Sequence, residues 1–524
     1  MNRRSLLLAA ATLAAPNLAR AQRPNTLKFV PYADLAVLDP VVSGNYTVRN
    51  HALMVFDTLY GVDDQWTPKP QMVEGQTIED DGRTWTLKLR DGLRFHDNTP
   101  VLARDVVASI RRWSTHDLLG AMLMQITGEF TAPDDRSVRF RLRWPFPLLP
   151  YAFGKTVGTV LVIMPERLAR TDPSKPVSEI IGSGPFRYLA DERVQGSRNV
   201  YARFDGYVPR PDGITSRLAG PKIVHFDRVE WLTMPDPATA VAALEKGEVD
   251  WVEAPLADLL PDLRSRPGIA TEIMDPSGYY RYIRLNQHNP PFDKAAVRRA
   301  ALAAISQSEV LTAVSGTDRT LWRAGVGFFA PDSTMASSVG MEALHDPPDL
   351  AHARKLLHAS GYAGEKTVMM VAGTIPALRA CGEVVADAWR KIGFNVEFQP
   401  LEIAASLQHL QSQSPVDQGG WSASTDAYAG VAAADPILLN EMRAIGRAGT
   451  FGWPDIPKLV DLRNAWLTAA DLASRQAICW QMQAECFDQV PFIPVGVTYQ
   501  PTAYSKTLTG VLHGLALFYN VRRV

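Results

Sequence analysis

The sequence predicts an α/β protein built from more than one domain. Its 524 residues exceed what one hydrophobic core ordinarily serves, which favours two or three domains. In residues 84–90 apolar side chains alternate with polar ones, the period-2 pattern of a half-buried strand. Residues 366–401 are predicted as a strand, a helix and a second strand, and a connection of that kind joins parallel strands.

Residues 1–21 are predicted to be a signal peptide. Two arginines precede a short apolar stretch at 6–15, and Ala-Arg-Ala at 19–21 has the pattern of a cleavage site. The pair Arg3-Arg4 resembles a twin-arginine export signal, and an ordinary secretory signal is the alternative. Because no cysteine follows the cleavage site, we expect no lipoprotein anchor and a periplasmic location.

A tight turn and a helix follow the predicted strand at 84–90. Trp85 and Leu87 would face one side of that strand, and Asp-Gly at 91–92 supplies the turn. An amphipathic helix is then expected at 103–113.

Further helices are predicted from caps and from periodic apolar residues. Asp236 and Pro237 begin a helix that Gly247 ends, and the VDWVE segment after it is a predicted strand. Asp349 begins another helix, which ends at Gly361. The remaining predicted helices cover 293–305, 378–392 and about 473–489.

Composition indicates an ordinary globular chain, with 46% apolar and 21% charged residues. Without residues 1–21 the net charge is −4, so no nucleic acid or anionic membrane is expected as a partner. Cys479 and Cys486 lie on one predicted helix, about 10 Å apart along its axis, too far to form a disulfide. We expect these two cysteines and Cys381 to be buried free thiols.

Six segments in the same order resemble the large extracytoplasmic solute-binding proteins of the peptide/nickel type, which serve ABC importers. The strand–turn–helix segment DGRTWTLKLRDGLRFHDNTP, from residue 81, is similar to a signature of that family. Any one segment would be weak evidence, but their shared order is specific, and the resemblance covers most of residues 27–500. The other five segments are 38–60, 182–188, 240–253, 284–306 and 349–362.

This resemblance implies two α/β lobes joined by crossing strands, with an additional subdomain in the first lobe. By analogy, lobe I comprises 22–60, 182–273 and 490–524, its subdomain is 61–181, and lobe II is 274–489. Family members enclose their ligand between the lobes by hinge closure.

The resemblance implies a receptor that captures a small organic solute and delivers it to the membrane subunits of an ABC importer. A peptide or peptide-like compound is the expected ligand, and a monomer the expected state. A metal chelate, an opine, a sugar or an aromatic acid are alternative ligands. A periplasmic sensor or chaperone on the same fold is an alternative role.

The candidate ligand-binding residues include a group in the segment 419–436, which resembles the family's "GWxxDxxDP" loop. In peptide binders that loop presents a carboxylate to the ligand's ammonium. Here Ser424 and Thr425 intervene before Asp426, and Asp435 comes late, so either acid, or neither, could reach the ligand. Asp435 could instead begin a turn or cap a helix. Trp421 could form a flat wall of the cleft or an ordinary core contact.

Two further pairs of candidates lie at the expected lobe boundary. Asn45 and Tyr46 occupy an early loop that resembles a ligand-contacting position in the family. Tyr280 and Arg281 precede the strand IRLN, and the planar guanidinium of Arg281 could bind a ligand carboxylate or form a structural ion pair.

No enzyme and no cofactor are predicted. The chain has no H-E-x-x-H, no phosphate-binding loop, no G-x-G-x-x-G and no C-x-x-C. Residues 420–424 approach the G-x-S-x-G pattern, but Ser424 replaces its second glycine. Its ten histidines are scattered, and none is paired at metal-binding spacing.

Overall fold

A computed structural model describes residues 25–524 of the chain, and the predicted signal peptide lies outside the described residues. Within 25–524 no helix is both long and apolar enough to cross a membrane. Two large sheets organise the fold, one of seven strands and one of six, and a separate four-stranded sheet lies between residues 73 and 142.

The described chain contains the following strands, numbered in chain order: β1 (Thr26–Val30), β2 (Tyr60–Val62), β3 (Pro68–Pro70), β4 (Val73–Glu79), β5 (Thr84–Leu89), β6 (Thr127–Thr131), β7 (Ser137–Leu142), β8 (Phe186–Tyr188), β9 (Arg198–Arg203), β10 (Arg228–Leu232), β11 (Trp251–Val252), β12 (Ile269–Ile273), β13 (Tyr279–Leu285), β14 (Trp322–Arg323), β15 (Lys366–Ala372), β16 (Asn395–Leu401), β17 (Ala423–Ala429), β18 (Phe492–Thr498), β19 (Pro501–Ser505), β20 (Leu508–Thr509) and β21 (Arg522–Arg523).

Its α-helices are α1 (Tyr46–Val55), α2 (Ala103–Trp113), α3 (Leu118–Ile126), α4 (Leu149–Gly154), α5 (Glu166–Ala169), α6 (Pro237–Glu245), α7 (Leu260–Ser265), α8 (Ala295–Ala303), α9 (Gln307–Ser315), α10 (Leu350–Ala359), α11 (Pro376–Ile392), α12 (Ile403–Leu410), α13 (Pro457–Thr468) and α14 (Leu472–Gln489).

The first lobe is built on the seven-stranded sheet, whose order is β12-β19-β11-β1-β10-β9-β8. β1 lies inside it and pairs in parallel with β10 and β11. Its core is strongly aromatic: the ring of Phe29 lies 5.5 Å from Trp231, 5.1 Å from Trp251 and 5.0 Å from Phe518. The N-terminal strand and the C-terminal residues therefore share one core, although they are far apart in the chain.

The four-stranded sheet, in the order β4-β5-β7-β6, confirms the strand predicted at 84–90. Trp85, Leu87 and Leu89 are buried, as the alternation predicts. α2 covers 103–113 as expected, and the carboxylate of Asp105 accepts the N–H of Leu102 at its start.

A buried ion pair joins this region to the first lobe. Arg112, on α2, donates from Nη1 and Nη2 to the Asp39 carboxylate at 3.1 and 2.8 Å. The same carboxylate accepts the backbone N–H groups of Val41 and Val177. Both side chains are almost fully buried, so the charge of each is compensated by the other and by backbone donors.

The second lobe is built on the six-stranded sheet, ordered β14-β18-β13-β17-β15-β16. β15, α11 and β16 form the predicted crossover, and β15 and β16 pair in parallel over seven residues. The predicted thiols are also confirmed, since Cys381, Cys479 and Cys486 are all free and buried.

One strand lies in a different lobe from the predicted one. The predicted division places 490–524 in the first lobe, but Phe492–Thr498 pairs with β13 and β14 in the second sheet. The chain enters the first sheet only at β19, after residue 500. A buried strand of this kind fits either sheet by its pattern alone, because it is apolar on both faces. The other lobe boundaries stay predictions.

Stability should fall below neutral pH because His51 is buried in the first lobe. Its ring packs 5.3 Å from Tyr188 and 5.7 Å from Tyr201, and burial lowers its pKa to about 3. The unfolded chain binds a proton near pH 6.5, and the folded chain does not until near pH 3. The free energy of unfolding should therefore fall by about 1.4 kcal/mol per pH unit between these values on account of His51.

Urea unfolding of wild type and His51→Gln from pH 7 to pH 4 measures this contribution. The free energy of unfolding of the variant should fall less steeply with decreasing pH than that of wild type. The exposed His352 supplies the control, and His352→Gln should follow the wild-type curve. A His51→Gln slope equal to that of wild type would contradict the assignment.

Candidate ligand-binding cleft

The chain passes between the two large sheets at two adjacent places. Residues 274–278 connect β12 to β13, and Tyr499 and Gln500 connect β18 to β19. β13 and β18 pair antiparallel with Tyr279 opposite Thr498, so the two crossings lie side by side. We call residues 274–278 with 499–500 the hinge.

A glycine is needed where the two crossings meet. Gly278 has a φ of +62°, and a Cβ there would lie 2.6 Å from the carbonyl oxygen of Thr498. Its own carbonyl accepts the N–H of Gly430 at 2.6 Å, which ties the second lobe to the hinge. Both the left-handed conformation and the close backbone approach exclude a larger residue at 278.

A cavity opens beside the hinge, and we call it the hinge cavity. Residues from both lobes line it: Tyr32, Tyr46, Arg49, Glu253, Ala254, Met274, Asp275, Gly278, Tyr279, Ala429, Gln500, Gly514, Leu515 and Ala516. Its walls combine aromatic rings with three charged side chains, as a site for a polar organic ligand requires.

Glu253 is the carboxylate of the hinge cavity that has no ion-pair partner among the described residues. It accepts the N–H of Tyr32 and the amide of Asn50, each at 2.9 Å. Burial raises its pKa, and Arg49 opposes that shift only in part. Asp275, by contrast, lies 3.7 Å from the guanidinium of Arg217.

Tyr46 joins the two lobes directly. Its hydroxyl accepts the N–H of Ala429 at 3.0 Å, and the guanidinium of Arg49 lies 4.6 Å from the centre of its ring. Asn45 lies outside the hinge cavity and caps α1, since its side chain accepts the N–H of Thr47. The hydroxyl of Tyr32 also donates to the Asn45 side chain at 2.9 Å, so Asn45 orients a residue that lines the cavity.

A second cavity lies between the four-stranded-sheet region and the second lobe, and we call it the distal cavity. It encloses about 960 Å³ of empty space, part of it open to solvent. Aromatic and apolar groups dominate its walls. Its lining residues are Gln65, Trp66, Thr67, Pro68, Pro147, Leu148, Tyr151, Ser333, Thr334, Met335, Ala434, Asp435, Trp466, Leu472 and Arg475.

Asp435 lines the distal cavity, but its oxygens are already engaged. Oδ2 accepts the Tyr151 hydroxyl at 2.5 Å, and Oδ1 accepts the N–H groups of Ile437 and Leu438. Burial raises the pKa of this carboxyl group. The Tyr151 contact is a second direct link across the cleft, because Tyr151 lies on α4 and Asp435 in the second lobe.

A smaller cavity lies between the hinge and the distal cavity. It shares Trp66, Ser333 and Ala434 with the distal cavity, and its remaining walls include residues 276–277 of the hinge. Arg217 lies over Trp66, with 4.1 Å between guanidinium and ring centre. The cleft thus runs from the hinge to the distal cavity.

The segment 419–436 is not the continuous loop that was expected, because a strand runs through its middle. β17 covers 423–429 and pairs with β13, which fixes alternate side chains on opposite faces. Trp421 is 1% exposed and packs with Trp453 in the core, which leaves no surface for a ligand. Thr425 is buried too, and its hydroxyl donates to the carbonyl of Leu378.

Asp426 faces a charge cluster in the second lobe. Arg284 donates to its carboxylate at 2.6 Å and lies 3.2 Å from Glu441. The Tyr282 hydroxyl also contacts both acids, at 3.2 Å from Asp426 and 3.0 Å from Glu441. Asp426 therefore has a structural ion-pair partner and lines none of the three cavities described above.

Tyr280 and Arg281 line none of the three cavities described above. Tyr280 is fully buried, and its hydroxyl donates to the carbonyl of Gly327 at 2.6 Å. Arg281 donates from Nε to the hydroxyl of Thr498 at 2.9 Å. Their neighbour Tyr279 lines the hinge cavity instead.

Of the eight residues proposed from sequence, Tyr46 and Asp435 line the cleft, at opposite ends. The lining residues that sequence reasoning missed include Tyr32, Arg49, Glu253, Trp66 and Tyr151. Glu253 ends the predicted VDWVE strand, and an acid at the end of a buried strand is the one local signal that could have identified it. The others come together only when the lobes pack.

The comparisons with known proteins agree on one family. A model of bacterial extracellular solute-binding proteins, family 5 (the middle region), matches residues 67–442. A probable peptide ABC transporter periplasmic-binding protein of Sinorhizobium fredii is 35% identical, over 99% of this chain and 98% of that protein. The family and this relative are named for solute binding and transport rather than for catalysis.

Solved structures share the two-lobed fold. The chain matches a periplasmic binding protein of Agrobacterium tumefaciens in complex with agropinic acid, with a TM-score of 0.75, 20% identity and coverage of 95% of this chain and 99% of that one. It also matches the protein DppA of Helicobacter pylori in complex with a peptide, with a TM-score of 0.74, 20% identity and coverage of 95% and 98%. The expected fold, two α/β lobes, is confirmed.

Gly278→Ala should destabilise the protein more than a glycine replacement that meets no neighbour. Both Gly278 and Gly316 have positive φ, and nothing lies within 4 Å of a Cβ at 316. Gly316→Ala should therefore lower the free energy of unfolding only by what the left-handed conformation costs a residue with a Cβ, about 1–2 kcal/mol. Gly278→Ala must in addition displace the backbone of Thr498. Urea unfolding of the two variants measures the difference, and equal losses would show that the hinge has room for a side chain.

Proposed function

Because the chain belongs to family 5 of the bacterial extracellular solute-binding proteins, we propose that it captures a peptide or peptide-like solute in its cleft and delivers it to an ABC importer. Its relative in Sinorhizobium fredii is named as a probable peptide-binding component of such a transporter, which supports the ligand class. The membrane subunits of the importer are the proposed partners, and the predicted signal peptide supports a periplasmic location.

The observation that carries this proposal is that both lobes line the hinge cavity. Tyr46 and Glu253 belong to the first lobe, whereas Tyr279 and Ala429 belong to the second. A ligand between them contacts both lobes only when these are together, so its binding energy favours the closed arrangement. Membrane subunits can then distinguish loaded from empty protein by the relative position of the lobes.

The charges of the hinge cavity support a ligand with an ammonium group. Glu253 is half-buried and has two neutral donors but no cation within ion-pair distance among the described residues. A peptide ammonium there would compensate that charge, and charge-assisted hydrogen bonds are the stronger kind. Tyr46 and Tyr279 would cover the adjoining apolar part of the ligand, with their rings 6.3 Å apart.

A peptide screen tests this function. Thermal unfolding of the mature protein with a panel of di- to tetrapeptides should find ligands that stabilise it, by about 2.7 kcal/mol at 100 times the dissociation constant. Native mass spectrometry of protein purified from a periplasm would identify a bound ligand directly. A panel that leaves the unfolding temperature unchanged, with no peptide released on denaturation, would reject the peptide class.

Glu253→Gln should weaken binding of a stabilising peptide, since the substitution removes the charge and keeps the size of the side chain. Loss of one partner of a buried charge pair costs about 2–5 kcal/mol, which calorimetry measures as a lower affinity. The N-acetylated form of the peptide should bind wild type and Glu253→Gln equally.

Asp426→Asn is the matched control, because Arg284 already pairs with Asp426 outside the cleft cavities. Its affinity for the peptide should equal that of wild type. An unchanged affinity in Glu253→Gln, or a loss in Asp426→Asn alone, would show that the ammonium is bound elsewhere.

A further inference from the structure

A cluster of apolar side chains joins the two lobes outside the cleft, and we call it the rear cluster. Leu260 begins α7, which precedes β12 of the first sheet, and it packs in this cluster with residues of the second lobe. The buried members are Leu260, Leu311, Leu321 and Trp322, each no more than 4% exposed, and Ile273 and Ala324 pack against them.

Strand order places the rear cluster across the hinge from the hinge cavity. In the second sheet β14 and β17 lie on opposite sides of the β18–β13 pair, and in the first sheet β12 and β11 lie on opposite sides of β19. Ala429, on β17, and Glu253, directly after β11, line the hinge cavity. The rear cluster instead takes Trp322 from β14 and Ile273 from β12. The two passages of the chain therefore run between the cavity and the cluster.

Both sides of the rear cluster are attached directly to the hinge. Ile273 is the last residue of β12, where the first passage begins. The carbonyl of Leu321 accepts the N–H of Tyr499 in the second passage at 2.8 Å, and Trp322 pairs with Thr498, the last residue of β18. A change in the angle between the lobes must therefore move the two sides of the cluster against each other.

An ion pair extends this contact toward the surface. Arg264, on α7, donates from Nη1 to the Asp318 carboxylate at 2.8 Å. Asp318 also accepts the N–H of Thr320, which fixes it against the segment that holds Leu321. The side chains of Arg264 and Asp318 are 44% and 34% exposed, so solvent screens their attraction, and the apolar packing is the stronger part of the contact.

The rear cluster is packed in the same arrangement in which the lobes touch across the cleft. There the Tyr46 hydroxyl accepts the N–H of Ala429, and the Tyr151 hydroxyl donates to Asp435. A rotation about the hinge that separates these pairs moves the rear surfaces toward each other, because they lie on the other side of the axis. Those surfaces are already in contact, and packed interiors compress very little. The rear cluster must therefore rearrange before the cleft opens wide.

We propose that the rear cluster and the Arg264–Asp318 pair form a clasp that limits how far the lobes open and holds the ligand-free protein near its closed arrangement. The clasp goes beyond the proposed function, since it holds for any solute that the cleft binds. Its consequence for binding is a population effect, because a solute that needs the closed arrangement binds in proportion to the fraction of molecules in it. Residues that no ligand touches then set part of the affinity.

The distance between α3 and α13 tests the clasp in ligand-free protein. These helices meet across the cleft, where Arg463 lies 3.9 Å from the sulfur of Met122. Spin labels on the exposed positions Gln125→Cys and Asn464→Cys report their separation by double electron–electron resonance, and the native cysteines are buried from the label. The protein with an intact clasp should give one narrow, short distance. Leu260→Ala should give a longer and broader distribution.

Leu263→Ala is the matched control for Leu260→Ala. Leu263 lies on the same helix and is equally buried, but it packs within the first lobe, in a cluster with Val252 and Ala503. Both replacements remove the same groups, so both should lower the unfolding midpoint, whereas only Leu260→Ala should lengthen the distance. Leu321→Ala, on the other side of the cluster, provides the same comparison if Leu260→Ala fails to fold.

Three results would overturn the clasp. An unchanged distance in Leu260→Ala would show that the rear cluster does not limit opening. A shorter distance would show that its contacts favour the open arrangement. Equal lengthening in Leu260→Ala and Leu263→Ala would show that lost stability, rather than the position of the cluster, loosens the lobes.

Arg264→Gln and Arg266→Gln form a second matched pair, for the ion pair. Arg266 lies two residues from Arg264 and pairs with Glu245 inside the first lobe at 3.0 Å. At low salt Arg264→Gln should broaden the label distances and Arg266→Gln should not, and high salt should reduce the difference by screening the charges. Identical distributions in the two variants at low salt would remove the ion pair from the clasp.

Calorimetry with a stabilising peptide measures the consequence for binding. Leu260→Ala should bind the peptide more weakly, about tenfold if the closed fraction falls to a tenth, although Leu260 lines none of the three cleft cavities. Leu263→Ala should keep the wild-type affinity. A longer label distance with unchanged affinity would overturn the link between the clasp and binding. A longer label distance in a protein that binds no peptide would support the clasp and reject the proposed peptide function.

Discussion

The two passages of the chain between the sheets are the constraint on which the cleft depends. β13 and β18 pair side by side, so the passages at 274–278 and 499–500 are held at one place. The backbone of Gly278 lies against that of Thr498 and accepts the N–H of Gly430. Because backbone groups rather than flexible side chains meet here, the distance between the lobes at the hinge is set by the main chain.

The positions of the cleft residues follow from this geometry. Ala429 ends β17, directly beside the hinge, and its N–H reaches the Tyr46 hydroxyl on the first lobe. Farther out, Tyr151 reaches Asp435. The lobes thus touch at both ends of the cleft, and the space between these contacts is what a solute can fill.

Charged side chains away from the surface differ in whether an ion-pair partner compensates them. Asp39 and Arg112, which tie α2 to the first lobe, compensate each other, and Asp39 also accepts two backbone N–H groups. Glu253 at the hinge is half-buried, accepts only the neutral donors of Tyr32 and Asn50, and has no ion-pair partner in the described chain.

Sequence alone determined the local elements, because a strand such as 84–89, a cap such as Asp236 and a crossover such as 366–401 depend on residues that are close in the chain. It also determined the family, through the order of six segments. It did not determine which side chains meet in the cleft. Trp421 and Asp426 lie in a segment with the right composition, yet Trp421 packs on Trp453 in the core and Asp426, on β17, forms an ion pair with Arg284. Tyr151, Glu253 and Tyr279 come from three distant segments, and only the packing of the two lobes decided that they share one cleft, since a ligand site needs proximity that no local pattern encodes.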